Sequence, residues 1–125
     1  MTIISKHGHT LLLSTVVVLA AACSTLETPA TADVAVSKAA VANAAGAGGE
    51  EFAPAEMKTA RASMAQANKA MTDKNYKLAM EFASKAEADA KLAQSKASST
   101  KAQMAADALQ DDIRVLRDEL NRANN

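Results

Sequence analysis

The sequence predicts an all-α protein, and three observations support this. The chain is 49% hydrophobic but only 2% aromatic, and alanine, the residue with the highest intrinsic helix propensity, makes up much of the difference. Neither glycine nor proline follows Pro54. Apolar residues recur at spacings of three and four, the period of one helix face. We expect a short N-terminal helix, then an antiparallel helical hairpin whose long second helix extends into a coiled-coil-like C-terminal segment.

Residues 1–22 resemble a bacterial lipoprotein signal peptide. Their apolar run, residues 11–22, is 12 residues long, shorter than the roughly 20 needed to cross a bilayer. Three alanines then precede Cys23 as in a lipobox, although Leu19 lies one position further from the cysteine than the usual leucine. We expect cleavage before Cys23 and lipidation of its thiol. The alternatives are an ordinary secretory peptide cleaved nearby and a short, uncleaved membrane anchor.

The residues around the cleavage site also predict a compartment. Ser24 stands where, in enterobacterial lipoproteins, an aspartate would favour retention in the inner membrane. We therefore expect attachment through lipid to the periplasmic face of the outer membrane. Residues 23–31, which include Pro29, are predicted to form a tether. Removing residues 1–22 leaves 13 basic and 14 acidic side chains, a balance that argues against a nucleic-acid partner.

Residues 32–125 are predicted to form one alanine-rich helical domain, with helices over about 33–45, 54–72 and 75–122. In the first helix Asp33 suits the N-terminal end of the helix dipole. An apolar stripe is expected there at Val34, Val41 and the alanines at 35, 39, 42 and 45. The GAGG segment at 46–49 should end this helix in a flexible turn.

The second predicted helix carries a methionine-rich heptad seam. Pro54 suits its first position, Glu56 its first turn, and Phe52 can pack onto that turn from outside. The seam consists of Met57, Ala60, Met64, Ala67 and Met71. Methionines seven residues apart lie about 10 Å from each other along a helix, too far to share a metal ion. We interpret them as core residues.

The third predicted helix begins after the polar turn TDKN at 72–75. Its apolar face is made of Tyr76 and small residues, Ala79, Ala83, Ala86, Ala90, Ala93 and Ala97, which let helix backbones approach closely. The resulting hairpin resembles a tetratricopeptide-type helix pair, of which only one unit is visible, whereas such arrays need about three. The serines and threonine at 95 and 98–100 form its weakest point.

Beyond this point the apolar pattern resumes in a shifted phase. It runs through Ala102, Ala106, Leu109, Ile113, Leu116 and Leu120, and a phase shift of this kind is a coiled-coil discontinuity. The last four residues are the candidate interaction seam. They can pair with a second copy of the chain or dock onto another envelope protein, and we favour self-association.

The sequence gives no support for catalysis or for a cofactor. Both histidines, His7 and His9, lie in the predicted signal peptide, so metal sites and nucleophile–base pairs lack their usual imidazole. Asp111 and Asp112 are adjacent on a helix and diverge by about 100°, whereas acid–base chemistry needs converging groups. We expect a protein that is not an enzyme and binds no cofactor or metal.

Three stretches carry a resemblance to a known family. They are APAEMKTARASMAQANKAM at 53–71, DKNYKLAMEFASKAEADAKLAQSKA at 73–97 and LRDELNRA at 116–123. In these stretches the chain resembles the DUF4398 family of proteobacterial lipoproteins, which have an alanine-rich helical domain. The resemblance implies a helical lipoprotein and brings no catalytic residues with it.

The expected function is that of a non-catalytic structural or adaptor module in the cell envelope. One alternative is a peptidoglycan-associated stabiliser, similar to the small alanine-zipper murein lipoproteins. A second is a small periplasmic chaperone or binding module, which would need a concave apolar pocket.

Overall fold

A computed structural model describes residues 26–124 of the chain, and within that range every regular element is a helix. The helices are α1 (Glu27–Gly46), α2 (Gly49–Phe52), α3 (Pro54–Thr72) and α4 (Tyr76–Ala123). The predicted all-α fold, with its hairpin and long last helix, is confirmed. The predicted signal peptide at 1–22 and the lipidation site Cys23 lie outside the described residues.

Helix α1 begins earlier than the sequence predicted. It starts at Glu27, so residues 27–31, predicted as part of the tether, are helical, and the predicted start near residue 33 is wrong. Pro29 is compatible with this start because the first N–H groups of a helix have no intrahelical acceptor, so a proline in the first turn removes no hydrogen bond. Glu27 adds a favourable charge at the positive end of the helix dipole.

The buried face of α1 also differs from the predicted stripe. Ala30, Ser37 and Ala44, spaced seven apart, are fully buried, and Val34 and Val41 between them are half-buried. The predicted stripe residues Ala35, Ala39 and Ala42 are exposed. Alanine occurs all around this helix, so the apolar pattern did not distinguish one face from another. Helix packing selected the face that contains Ser37.

The turn after α1 is shaped by two glycines. Gly48 has a left-handed backbone with φ of 96°, which glycine adopts without the steric cost that other residues incur. Gly49 is buried, and a Cβ atom there would lie 2.8 Å from the carbonyl oxygen of Ala44. Gly49 starts the single turn α2, which the sequence did not predict. The segment predicted as a flexible turn is therefore a closely packed corner.

Helix α3 has the predicted bounds, Pro54–Thr72, with proline at its first position. Met57, Ala60, Met64 and Ala67 of the predicted seam are buried, and Met71 is half-buried. Met57 is completely inaccessible and lies in an apolar core cluster. The cluster also contains Ala44, Ala53, Ala60, Ala90 and Ala93. Methionine thus fills the space that the surrounding alanines leave.

The polar turn between α3 and α4 is a Schellman motif. The Asn75 N–H donates to the Ala70 carbonyl at 2.9 Å, and the Lys74 N–H donates to the Met71 carbonyl at 3.0 Å. Lys74 has φ of 57°, a left-handed conformation at a position where glycine is usual. The Asn75 side chain then caps α4 by accepting from the Leu78 N–H at 3.3 Å.

Helix α4 is 48 residues long and continuous through the serine-rich segment, about 72 Å from end to end. Its six stripe alanines, from Ala79 to Ala97, are completely inaccessible, because both α1 and α3 pack on this helix. Helix α1 runs parallel to α4: Glu27 lies beside Tyr76, and Ser37 contacts Ala83. Helix α3 runs antiparallel, with Glu56 near its start contacting Lys96.

The three long helices therefore form a bundle from which the end of α4 projects. Every residue from 101 to 124 is exposed, and Lys101 marks the boundary, with its ammonium nitrogen 5.7 Å from the centre of the Phe52 ring. We call residues 102–123 the arm. It extends about 33 Å past the bundle. Among residues 26–124, no helix is both long enough and apolar enough to cross a membrane.

Candidate interaction surface

The arm presents a row of large apolar side chains to solvent. Leu109, Ile113, Leu116 and Leu120 are 62%, 48%, 59% and 63% exposed; we call these four residues the arm seam. At 100° per residue they lie within about 60° of one another around the helix. The structure thus brings the four predicted residues together on one face. No other element of the described chain covers them.

The arm seam lies on a different side of α4 from the bundle. The centres of the stripe Ala79–Ala97 and of the arm seam are separated by roughly 130° around the helix axis at 100° per residue. The phase shift predicted from the sequence is therefore a change of face along one continuous helix. A molecule bound to the arm seam would meet α4 on the side that α1 and α3 leave open.

Charged residues border the arm seam unequally. Asp112 and Glu119 project along one edge, and Arg117 projects along the other. Asp111 and Arg114 lie further round the helix and form an ion pair of 2.9 Å. Met104 and Val115 lie on the back of the arm, 57% and 55% exposed. The surface is thus an apolar strip with one acidic edge and one edge carrying a positive charge.

The base of the arm is fixed to the bundle by polar contacts. The Lys96 ammonium donates a hydrogen bond to the Glu56 carboxylate of α3. This bond, together with a backbone hydrogen bond, holds the pKa of Glu56 below its ordinary value of 4.5 against the opposing effect of partial desolvation. Arg61 of α3 pairs with Glu50 of α2 nearby. These contacts connect α2, α3 and α4 where the arm leaves the bundle.

The opposite end of the bundle carries the start of α1. There the Tyr76 side chain lies against Glu27, and the pKa of Tyr76 is raised, first by desolvation and then by the charge and hydrogen bonding of that carboxylate. The described chain therefore begins at one end of the bundle and the arm leaves from the other. Cys23 precedes Leu26 by three residues.

The described residues contain no cluster of three or more histidine, cysteine, aspartate or glutamate side chains that could hold a metal ion. The residue that sequence reasoning missed is Ser37, whose hydroxyl oxygen lies 2.7 Å from the carbonyl oxygens of both Asp33 and Ala83. The contact with Ala83 joins α1 to α4. A signal was available, since Ala30, Ser37 and Ala44 are seven apart like the alanines of α4.

Comparison with known proteins gives one match. A family model described as a domain of unknown function, DUF4398, matches residues 32–109. The match covers most of the bundle and ends within the arm at Leu109, so the resembling stretch at 116–123 lies beyond it. No curated protein and no solved structure matches the chain. Because the matched residues make up more than half of its length, the chain belongs to the DUF4398 family.

Proposed function

We propose that this protein is a lipoprotein of the periplasmic face of the outer membrane, acting as a non-catalytic adaptor or structural module. The observation that carries the proposal is the placement of the two ends of the bundle. The described chain begins three residues after Cys23, and three residues span at most about 11 Å. A lipid on Cys23 would hold that end near the membrane. The arm, with its exposed apolar seam, leaves from the opposite end.

The lipobox-like sequence supports the anchor, and the exposure of the arm supports the adaptor role. An amino acid with several attached acyl chains remains in a membrane effectively permanently, because each buried methylene contributes about 0.8 kcal/mol. The bundle then needs no membrane-binding surface of its own. Large apolar side chains that stay exposed side by side on a helix mark an interaction site.

Fractionation of an enterobacterial host that expresses the full chain tests the anchor. We expect the wild type in the outer-membrane fraction, with a mass that shows acylation of Cys23. Cys23→Ser should lose both the acyl chains and the membrane association. Ser24→Asp should stay acylated but move to the inner-membrane fraction. A free thiol in the wild type, or cleavage at another residue, would contradict the proposed anchor.

Crosslinking in intact envelopes tests the adaptor role. We expect the wild type to be crosslinked to protein through the arm, and Leu116→Asp with Leu120→Asp to lose these products while staying in the membrane. Met104→Asp with Val115→Asp, on the back of the arm, is the matched control. Recovery of wall fragments in place of proteins would support the alternative function, a peptidoglycan-associated stabiliser.

A further inference from the structure

We propose that the arm pairs in parallel and in register with the arm of a second copy of this chain, forming a short two-stranded coiled coil. The proposal rests on the proposed function in one respect, because the shared membrane supplies the common orientation of the two copies. It goes further by naming the partner and the geometry.

The residues of the arm occupy the core positions expected for two strands. In heptad notation Ala106, Ile113 and Leu120 fall at position a. Position d is held by Ala102, Leu109, Leu116 and Ala123. In the central heptad Ile113 at a is followed by Leu116 at d, the combination that favours parallel dimers over larger assemblies. The four large residues at the centre of the arm would be covered by the same four residues of the partner.

The charges that border the arm seam select the parallel orientation. Asp112 falls at position g and Arg117 at position e of the following heptad, the two positions that meet across a parallel dimer. Asp112 would therefore face Arg117 of the partner subunit, twice in each dimer. In an antiparallel dimer the two g edges meet instead, which brings Asp112 and Glu119 of both chains together and is repulsive.

The bundle limits the pairing to the arm and leaves room for it. The stripe of α4 that α1 and α3 cover is centred roughly 130° around the helix from the arm seam, so two bundles can stand beside each other without blocking the contact. Before the arm, the same heptad frame places Ser99 at position a and Ser95 at position d, and both are exposed. Two polar residues at consecutive core positions do not extend a coiled-coil core. The paired segment therefore begins near Ala102.

The position of the chain start makes parallel pairing the orientation available on a membrane. Two copies held by Cys23 in one leaflet would both direct their arms away from that leaflet. About three heptads pair weakly in dilute solution, and confinement to a surface raises the effective concentration of the second arm. Dimer formation should therefore be stronger in membranes than for the same chain at low concentration.

Disulfide trapping of the full chain in isolated membranes tests the pairing. Ala106→Cys, Ile113→Cys and Leu120→Cys, made singly, place a thiol at successive a positions. These sites are exposed, so the substitutions leave the bundle intact. On mild oxidation we expect each variant to shift to the mass of a dimer. Met104→Cys and Val115→Cys, on the back of the arm, are the controls and should stay monomeric.

Each outcome has one meaning. Trapping at a single a position would indicate an antiparallel crossing and overturn the proposed orientation. Trapping at none of them, or an adduct of a different mass, would overturn self-pairing. A dimer of the wild type would mean that Cys23 carries a free thiol, which contradicts the proposed anchor. The pairing is then judged in solution at high protein concentration, from Cys23→Ser combined with Ile113→Cys, which has a single thiol and needs no lipid.

Charge reversal separates the two orientations independently. In a parallel dimer Asp112→Arg faces Arg117 of the partner subunit, and we expect the dissociation constant in detergent to rise about tenfold, since two exposed ion pairs become repulsive. Asp112→Arg with Arg117→Asp should restore the wild-type value. If Asp112→Arg instead tightened the dimer, the acidic edges must have been adjacent, and the parallel arrangement would be wrong.

Discussion

Ser37 illustrates how a polar residue can occupy a buried contact between two helices. Its hydroxyl is fully buried against α4, and its single proton is shared between the carbonyl oxygens of Asp33 and Ala83, each 2.7 Å away. Neither carbonyl oxygen needs the Ser37 proton, because each can also accept a hydrogen bond from a backbone N–H of its own helix. Serine is tolerated here because it is small and its one donor is satisfied.

The identity of the buried face of α1 can be tested by substituting valine at one buried and one exposed position. Ser37→Val should lower the free energy of unfolding by about 2 kcal/mol, because it enlarges a residue in a closed contact and removes a hydrogen bond. Ala35→Val, at an exposed position predicted to be buried, should cost only about 0.5 kcal/mol through helix propensity. Denaturant titration followed by circular dichroism measures both. If Ala35→Val destabilised the protein more than Ser37→Val, the face predicted from the sequence would be the buried one.

Gly49 and Gly46 form a second matched pair. A methyl group on Gly49 would lie 2.8 Å from the Ala44 carbonyl oxygen and 2.9 Å from the Met57 sulfur, whereas one on Gly46 meets nothing within 4 Å. We expect Gly49→Ala to lower the free energy of unfolding by about 2 kcal/mol. Gly46→Ala should leave it unchanged or raise it by up to about 1 kcal/mol. Equal effects in thermal unfolding would mean that the corner is not closely packed.

At the scale of elements, the prediction succeeded where side chains act locally. Pro54 and the TDKN turn carry their own signals, so the bounds of α3 agreed with the structure. The prediction failed for α1 in two respects. Its buried face was wrong, because alanine occurs on all sides and tertiary packing decides which side is buried. Its start was wrong, because Pro29 suggested a tether. The prediction also missed α2, because a single turn that starts at a buried glycine has no periodicity. The arm seam was predictable since large residues recur there on an exposed helix.

The turn between α3 and α4 contains a position that the natural sequence has not optimised for stability. Lys74 adopts the left-handed conformation that ends a Schellman motif, so Lys74→Gly should raise the free energy of unfolding by about 1 kcal/mol. Lys85→Gly, exposed within α4, should lower it by about 1 kcal/mol. Chemical denaturation of both variants provides the comparison. Destabilisation by Lys74→Gly would argue against the left-handed turn.

The contact between α3 and α4 predicts a dependence of stability on pH. Folding lowers the pKa of Glu56 below 4.5, so its contribution is present above the unfolded pKa and is lost as the pH falls through the folded one. We expect the melting temperature of the wild type to fall more steeply below pH 4.5 than that of Glu56→Gln. Asp118→Asn, on the exposed arm, should retain the wild-type slope. Equal slopes of melting temperature against pH for the wild type and Glu56→Gln would exclude this contribution.

At the scale of the whole molecule, the two parts of α4 differ in what stabilises them. Up to Lys101 the helix is packed between α1 and α3, whereas every residue of the arm is exposed in the described chain. An isolated helix of about 22 residues is marginal in water even when rich in alanine. The backbone amides of the arm should therefore open far more readily than those of the bundle, although both belong to one helix.

Hydrogen exchange of the full chain in detergent, measured by mass spectrometry at two protein concentrations, can separate these parts. At low concentration we expect slow exchange across 79–97 and fast exchange from about residue 102 onward. At high concentration, arm pairing should slow exchange in 102–123 and leave 79–97 unchanged, since the bundle is complete within one chain. Leu116→Asp with Leu120→Asp should abolish the concentration dependence. Slow exchange in the arm at every dilution would show that the arm packs within its own chain, because a contact inside one molecule does not weaken when molecules are separated.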